Sequence, residues 1–191
     1  MEKLFDPIFE LHQQVLENSQ LMSQAKKAAV SVIINESNEE SPTIILIKRN
    51  EYDGHHSGQM AFPGGKMDAS DKNLYETAAR ESKEEIGLDL HMNHFQELSP
   101  VWVKVSNFII YPYLIFVNKK LEFDINKREI NRIFEIPVNE FTNSKNLKAH
   151  QLTIQGKAYW SPYFEYENEI IWGATALILF QNIYLKDLLR K

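Results

Sequence analysis

Residues 58–88 read GQMAFPGGKMDASDKNLYETAARESKEEIGL. The second half of this stretch has helical spacing. Glu81, Glu84 and Glu85 fall at i, i+3 and i+4, so they share one face. Tyr75, Ala78, Ala79, Ser82 and Ile86 fall on another, small and mostly apolar, which suits packing on a sheet. The pattern predicts a helix from about Asn73 to Ile86, with Asn73 and Glu76 as a capping box and Gly87 as a left-handed C-terminal cap. Carboxylates one turn apart repel, and that repulsion needs compensation. A divalent cation supplies it, and oxygen donors at this density suit Mg²⁺ or Mn²⁺. The competing reading of an acidic helix face is a solvated surface. Ahead of the helix, Pro63-Gly64-Gly65 marks tight turning and close approach of a ligand.

Upstream, Ala28–Ile34 reads as a buried strand and Thr43–Lys48 as its antiparallel hairpin partner across a polar turn. Arg49, at the end of the second strand, can fork onto a phosphate or pair with a helix carboxylate. Both readings stay open. His55 and His56 lack partners at ligand spacing and read as a solvated loop. Residues 58–63 should form a short strand ending at Pro63. Residues 8–24 form an amphipathic pattern with Ile8, Phe9, Leu11, Val15, Leu16 and Leu21 on its buried stripe. That helix either lids the domain's own core or offers a surface for a partner, a homodimer included.

Downstream, Glu97–Val105 and Asn107–Asn118 are apolar enough for two strands, and Pro112 argues for an edge or a bulge in the second. Ile133–Val138 is a short strand breaking at Pro137. Phe141–Ala149 reads as irregular. Leu152–Phe164 carries strands whose Tyr159, Trp160 and Tyr163 pack in a hairpin or stack on an adenine ring. Glu165, Glu167 and Glu169 alternate, which places them on one side of an extended segment. Trp172-Gly173 opens a final helix from Thr175 to about Arg190, with Ala176, Leu179, Ile183 and Leu188 among its apolar positions.

The 191 residues suit one domain with one substantial core. Acidic and basic residues are mixed along the chain at a net charge of −5, which argues against a nucleic-acid surface. No cysteine occurs, so thiol and disulfide chemistry are excluded. No apolar run reaches the length of a membrane span, and the first residues lack the build of a signal peptide. The expectation is a cytoplasmic protein with no nucleic-acid or membrane partner.

The end of the quoted stretch, Arg80-Glu81-Ser82-Lys83-Glu84-Glu85-Ile86-Gly87-Leu88, resembles the signature of the Nudix hydrolases. That box runs Gly, five residues, Glu, seven residues, then Arg-Glu-apolar-x-Glu-Glu-x-Gly-apolar. Five residues after Gly65 stands Asp71 rather than Glu, eight residues rather than seven lead on to Arg80, and Ser82 occupies a place that is usually apolar. Upstream, Ile45–Asn50 followed by Gly58-Gln59-Met60-Ala61-Phe62-Pro63-Gly64-Gly65 is similar to the motif of the coenzyme A pyrophosphatase branch. Asn50 stands where Ser is usual there, and Gly54 where Arg is usual.

Strands scattered around two or three helices suggest an α/β sandwich. The resemblance implies the Nudix fold, an α/β/α sandwich with a mixed central sheet and the box as loop–helix–loop. Residues 1–191 would be a single domain, with residues 1–27 a helical extension packed on it. It further implies Glu81, Glu85 and Glu84 as metal ligands, joined by the Gly64 carbonyl. Arg80 would hold a neighbouring carboxylate. Arg49, Gly64 and Gly65 would meet the substrate, and the general base would be Glu84, Glu81 or a loop carboxylate, Glu129. The implied reaction is attack of water on a diphosphate linkage of coenzyme A or a derivative, giving 3′-phosphoadenosine 5′-phosphate and 4′-phosphopantetheine. The alternatives are another nucleoside diphosphate derivative such as ADP-ribose, or a Nudix-fold sensor that binds a nucleotide without cleaving it.

Overall fold

The computed structural model describes residues 2–51 and 58–184. Gly54, His55 and His56 lie outside the described residues, as does the predicted last helix beyond Tyr184.

The central strand is β1 (Lys26–Asn35). It pairs in parallel along its whole length with β7 (Phe108–Val117). Its other side is shared. β2 (Thr43–Arg49) meets it only at Ile34 and Asn35, and β4 (Gly64–Lys66) takes Ala28, Ala29 and Val30. The predicted hairpin is therefore a short pairing from which the two strands diverge. β3 (Met60–Ala61) pairs with β2 inside that divergence, and Ser31 N–H donates to the Pro63 carbonyl at 2.8 Å. Gly64 and Gly65 are thus sheet inserted into a split between strands, with only Pro63 in a bend ahead of them, where the glycine punctuation suggested a tight turn.

β8 (Ile130–Pro137) flanks β2 antiparallel. β5 (Phe95–Glu97) and β6 (Val101–Val103) flank β7. Among the described residues this makes one eight-stranded mixed sheet. The single strand expected over Glu97–Val105 is two short ones. Pro112 is not at an edge, but it lies opposite a bulge in the flanking chain, where the register slips by one residue between Glu97↔Tyr113 and Val101↔Ile110. Leu98 N–H donates to its carbonyl at 2.9 Å. Amide and carbonyl of one strand residue point the same way, so its missing donor faces the break between β5 and β6.

Alternation along the strands splits the core into two layers. Val32, Ile34, Ile44, Leu46 and Leu114 face one side; Ala29, Ile33, Ile45, Ile47 and Ile115 face the other. The second side is covered by α3 (Leu74–Ile86) through Tyr75, Ala78, Ala79 and Ile86. Ser82 fits there because its hydroxyl bonds the Ser31 hydroxyl at 2.8 Å, so nothing polar is left unpaired. The first side is covered by α1 (Asp6–Glu17) and α5 (Gly173–Leu179). The result is the α/β/α sandwich.

A second, three-stranded sheet joins that layer: β9 (Lys148–Ile154), β10 (Lys157–Tyr166) and β11 (Glu169–Ile171). It begins inside the stretch read as irregular, which also takes in the end of α4 (Val138–Thr142). Glu167 and Asn168 both take positive φ, +47° and +65°, and turn the chain between β10 and β11. Glu165, Glu167 and Glu169 therefore do not share an extended face. They pair separately with Lys148, Arg132 and Lys48. After α5 the chain widens into a π-turn at Phe180–Tyr184, so the final helix changes character well before its expected end.

The N-terminal helix breaks at Asn18, whose side chain caps α2 (Ser19–Gln24). Leu21 lies beyond the break and is exposed. Ile8 and Val15 are buried as expected, and so is His12. Nδ1 of His12 has no hydrogen-bond partner among the described residues, and burial pushes its pKa down to about 4. The unfolded chain binds this proton near pH 6.5 and the folded chain only near 4, so protonation favours unfolding across that window. Relative to His12→Leu, the parent should lose roughly 3 kcal/mol between pH 6.5 and 4, read by urea melts at each pH. Parallel stability curves for the two proteins would show that His12 is not buried neutral.

Candidate active site

Asn73 caps α3 as predicted, its side chain accepting from Glu76 N–H at 2.9 Å. Glu76 reaches back one residue further than a capping box requires, to Lys72 N–H at 2.8 Å. Gly87 ends the helix at φ +76°. Between these caps the three glutamates line up as their spacing demands, but at different depths. The Glu85 side chain is 1% exposed, Glu81 17% and Glu84 56%.

The glycines seat the two deeper ones. Gly64 N–H donates to Glu85 Oε2 at 2.9 Å, and Arg49 donates through Nη2 to the Gly64 carbonyl at 2.8 Å. The same nitrogen lies 3.2 Å from Glu85 Oε1, yet that oxygen is buried without a hydrogen bond among the described residues. The contact is thus Coulombic, and Glu85 keeps one acceptor unspent. Gly65 leaves the room that Glu81 occupies: a Cβ there would sit 2.5 Å from the Glu81 carboxyl carbon. Burial, above all, raises the Glu85 pKa to about 7, with Arg49 and the Gly64 amide opposing it. Burial also raises that of Glu81, against the pull of Arg80.

Arg80 holds the outer half of the cluster. Its Nη1 reaches Glu81 at 2.9 Å and Glu84 at 3.1 Å, and its Nε reaches Asp71 at 2.9 Å. A second bond, from Nη2, makes the Asp71 contact two-pronged. Asp71 also accepts from Asp68 N–H and the Thr77 hydroxyl, and the Arg80 bonds hold its pKa down at about 2. Asp71, set aside by the altered spacing, is therefore built into the site as the anchor of Arg80. An acid two residues before a helix cap carries no signal for this, because its partner is fixed only when the loop folds back. Asp71→Asn should leave Arg80 loosely held and lower kcat roughly tenfold or more, since small misplacements at a reacting centre are costly. Steady-state kinetics on a variant with an unchanged circular dichroism spectrum checks this.

Glu129 lies in the turn before β8, which docks on the end of α3 through Asn126 N–H to Glu85 O at 3.0 Å. The acid is exposed and accepts from the Asn126 side chain at 2.9 Å. It stands close enough to help raise the Glu85 pKa, but it does not join the ridge.

Four carboxylates (Asp71, Glu81, Glu84, Glu85) meet two guanidiniums (Arg49, Arg80), leaving the ionised cluster two charges negative. Among the described residues no three acidic side chains converge on a common point. Arg80 draws Glu81 and Glu84 to one side while Arg49 and Gly64 hold Glu85. The donor set still fits a hard divalent cation. It is all oxygen, it has surplus negative charge, and it includes the unspent Oε1 of Glu85. Glu81 and Glu84 would have to release Arg80 to serve such an ion.

A cavity of about 570 Å³ opens beside this cluster, with Arg49, Gly64 and Gly65 in its wall. The remaining lining is mostly apolar, from Val30, Phe62, Val103, Phe108, Ile110 and Ile178.

The NUDIX domain model matches residues 25–155. The chain belongs to the Nudix family. A Nudix hydrolase NudL of Yersinia pestis (strain Pestoides F) is 34% identical over 169 residues, covering 86% of this chain and 82% of that protein. A NudL of Yersinia pseudotuberculosis serotype O:1b matches equally. Among solved structures, a MutT/nudix family protein from Enterococcus faecalis superposes with a TM-score of 0.57 at 15% identity, over 91% of this chain and 66% of that one. A MutT Nudix hydrolase from Burkholderia pseudomallei gives 0.56 at 18%, over 83% and 98%. The Nudix domain of Shewanella oneidensis NrtR, in complex with ADP ribose, gives 0.51 at 14%, over 68% and 84%. These structures establish the fold, and the family match and the sequence relatives place the chain among the Nudix hydrolases.

Proposed function

We propose that this Nudix hydrolase cleaves the diphosphate linkage of coenzyme A or a derivative, releasing 3′-phosphoadenosine 5′-phosphate and 4′-phosphopantetheine. The observation that carries the reading is the cavity beside the glutamate ridge. Its length of apolar wall suits an arm that is long and uncharged, as pantetheine is. ADP-ribose, the ligand of the Shewanella domain, would instead have to seat a second ribose, for which the wall offers few polar side chains, Gln59, Ser106 and Thr175 among them. Arg49 lies between ridge and cavity and would take the diphosphate.

The metal would be Mg²⁺ or Mn²⁺, held by Glu81, Glu85, Glu84 and the Gly64 carbonyl. A bound divalent cation lowers the pKa of water and neutralises charge on the phosphoryl oxygens. Glu84 suits the part of general base. It is the most exposed of the three, and among the described residues only Arg80 restrains it. Glu81 is deeper, and Glu129 is bonded to Asn126. A cytoplasmic setting accords with a chain free of cysteine.

The test is a panel of diphosphates with either metal, read as phosphate released after phosphatase treatment. Turnover of coenzyme A well above that of ADP-ribose is expected. A preference for ADP-ribose would overturn the assignment.

A further inference from the structure

Among the exposed large apolar side chains, one is placed like a working surface. Trp160 and Ile170 lie on the three-stranded sheet and Val105 on the β6–β7 turn. Trp172 alone is a large aromatic that is both exposed, at 42%, and part of the cavity wall. Its segment is clipped at both ends. Lys48 pairs with Glu169 on one side, and on the other Thr175 Oγ1 donates to the Met60 carbonyl at 3.2 Å. Between the clips, Gly173 at φ +62° turns the chain from β11 into α5, leaving Trp172 extended just before the helix. His150, from β9, packs edge-on against the same indole at 6.4 Å. Tyr159, Trp160 and Tyr163 do not line the cavity, so the aromatics singled out by sequence are the wrong ones for this purpose.

We infer that Trp172 is the residue on which the substrate's base stacks, holding it by its face at the cavity mouth rather than by its edge. This rests on the nucleoside diphosphate reading above. Indole faces attract bases of any kind, since every base has a π-face. The polar side chains of the wall away from the glutamates, Gln59, Ser106 and Thr175, are few, and Thr175 is already bonded to the Met60 carbonyl, whereas a half-exposed indole leaves a purine's edge in water. Base recognition of this kind is strong in area and poor in discrimination. The chain's specificity would then come from the apolar arm and the diphosphate, with the base interchangeable.

Two measurements test it. Trp172→Ala should raise KM for the best diphosphate substrate roughly tenfold with kcat within about twofold, and Trp172→Phe should restore most of the loss. An unchanged KM in Trp172→Ala, or a Phe variant no better than the Ala one, overturns the assignment. Separately, ADP without metal should quench the intrinsic fluorescence. The quench should vanish in Trp172→Phe although Trp102 and Trp160 remain, and GDP should bind the parent within about threefold of ADP. A quench that persists in Trp172→Phe, or strong preference for one base, equally overturns it. The binding measurement needs no turnover. A parent that binds ADP through Trp172 but cleaves no diphosphate would sink the substrate reading and leave this one standing.

Discussion

Glu85→Gln lowers turnover at least ~100-fold while the metal-free protein becomes no less stable above pH 7: that is the expected result. The two halves have one cause. The Glu85 carboxylate is 1% exposed, and burial raises its pKa to about 7. A group whose folded pKa exceeds its unfolded value costs stability once pH rises through the folded value, because the unfolded chain then holds the charge more cheaply. Glutamine keeps the shape and can still accept from Gly64 N–H, whose bond to Oε2 measures 2.9 Å, and it removes the buried charge. Arg49 loses a Coulombic contact but keeps the Gly64 carbonyl. What the variant cannot do is offer an anionic oxygen to a cation or to a phosphoryl transition state, a loss of the usual size for such groups. The measurements are initial rates with Mg²⁺ and urea melts in EDTA at pH 8. Near-parent activity would remove Glu85 from the chemistry. A clear loss of stability would show that the ionised carboxylate is there to hold the fold.

That coupling explains which parts of the site were legible. Three glutamates at i, i+3 and i+4 between a capping asparagine and a terminal glycine can be read because helix geometry is local. Ala78, Ala79 and Ile86 on the opposing face announced the sheet for the same reason. The depth of each glutamate is not local. It depends on β4, which is sheet only because β1 and β2 diverge and leave hydrogen-bonding edges to fill. Nothing in Pro63-Gly64-Gly65 distinguishes a turn from an inserted strand. Asp71 was obscured likewise, since its partner is nine positions away across a loop whose course is set by the fold. The second sheet suffered most. A positive φ at Glu167 and Asn168 converts three alternating acids into a hairpin with three separate ion pairs, and neither residue is a glycine that would have marked the turn. Trp172 could be seen only as the start of a helix, because the cavity it borders is assembled from β1, β6, β7 and α5.

Gly64→Ala and Gly65→Ala, neighbours in sequence, should fail in opposite ways. Gly64 sits at φ +150°, and a Cβ there would lie 2.3 Å from the Ala29 carbonyl oxygen and 2.6 Å from the Val30 Cα. Those atoms belong to β1, the strand both core layers share, so they cannot yield locally. The substitution combines backbone strain with a clash against main chain, and should cost at least ~3 kcal/mol, enough to lower Tm by roughly 10 °C. At Gly65 the φ is unremarkable, and the three atoms nearest the added Cβ all belong to the Glu81 carboxylate, whose carbon is 2.5 Å away. That group is the end of a flexible side chain and can swing away. Gly65→Ala should therefore stay within about 1 kcal/mol of the parent, while turnover falls roughly tenfold to a hundredfold as Glu81 is displaced from its seat. Urea melts and steady-state rates on both variants separate the cases. Equal losses of stability at the two positions would mean that Glu81 cannot move, and that the cluster is a rigid ion-pair network rather than a site waiting for a cation.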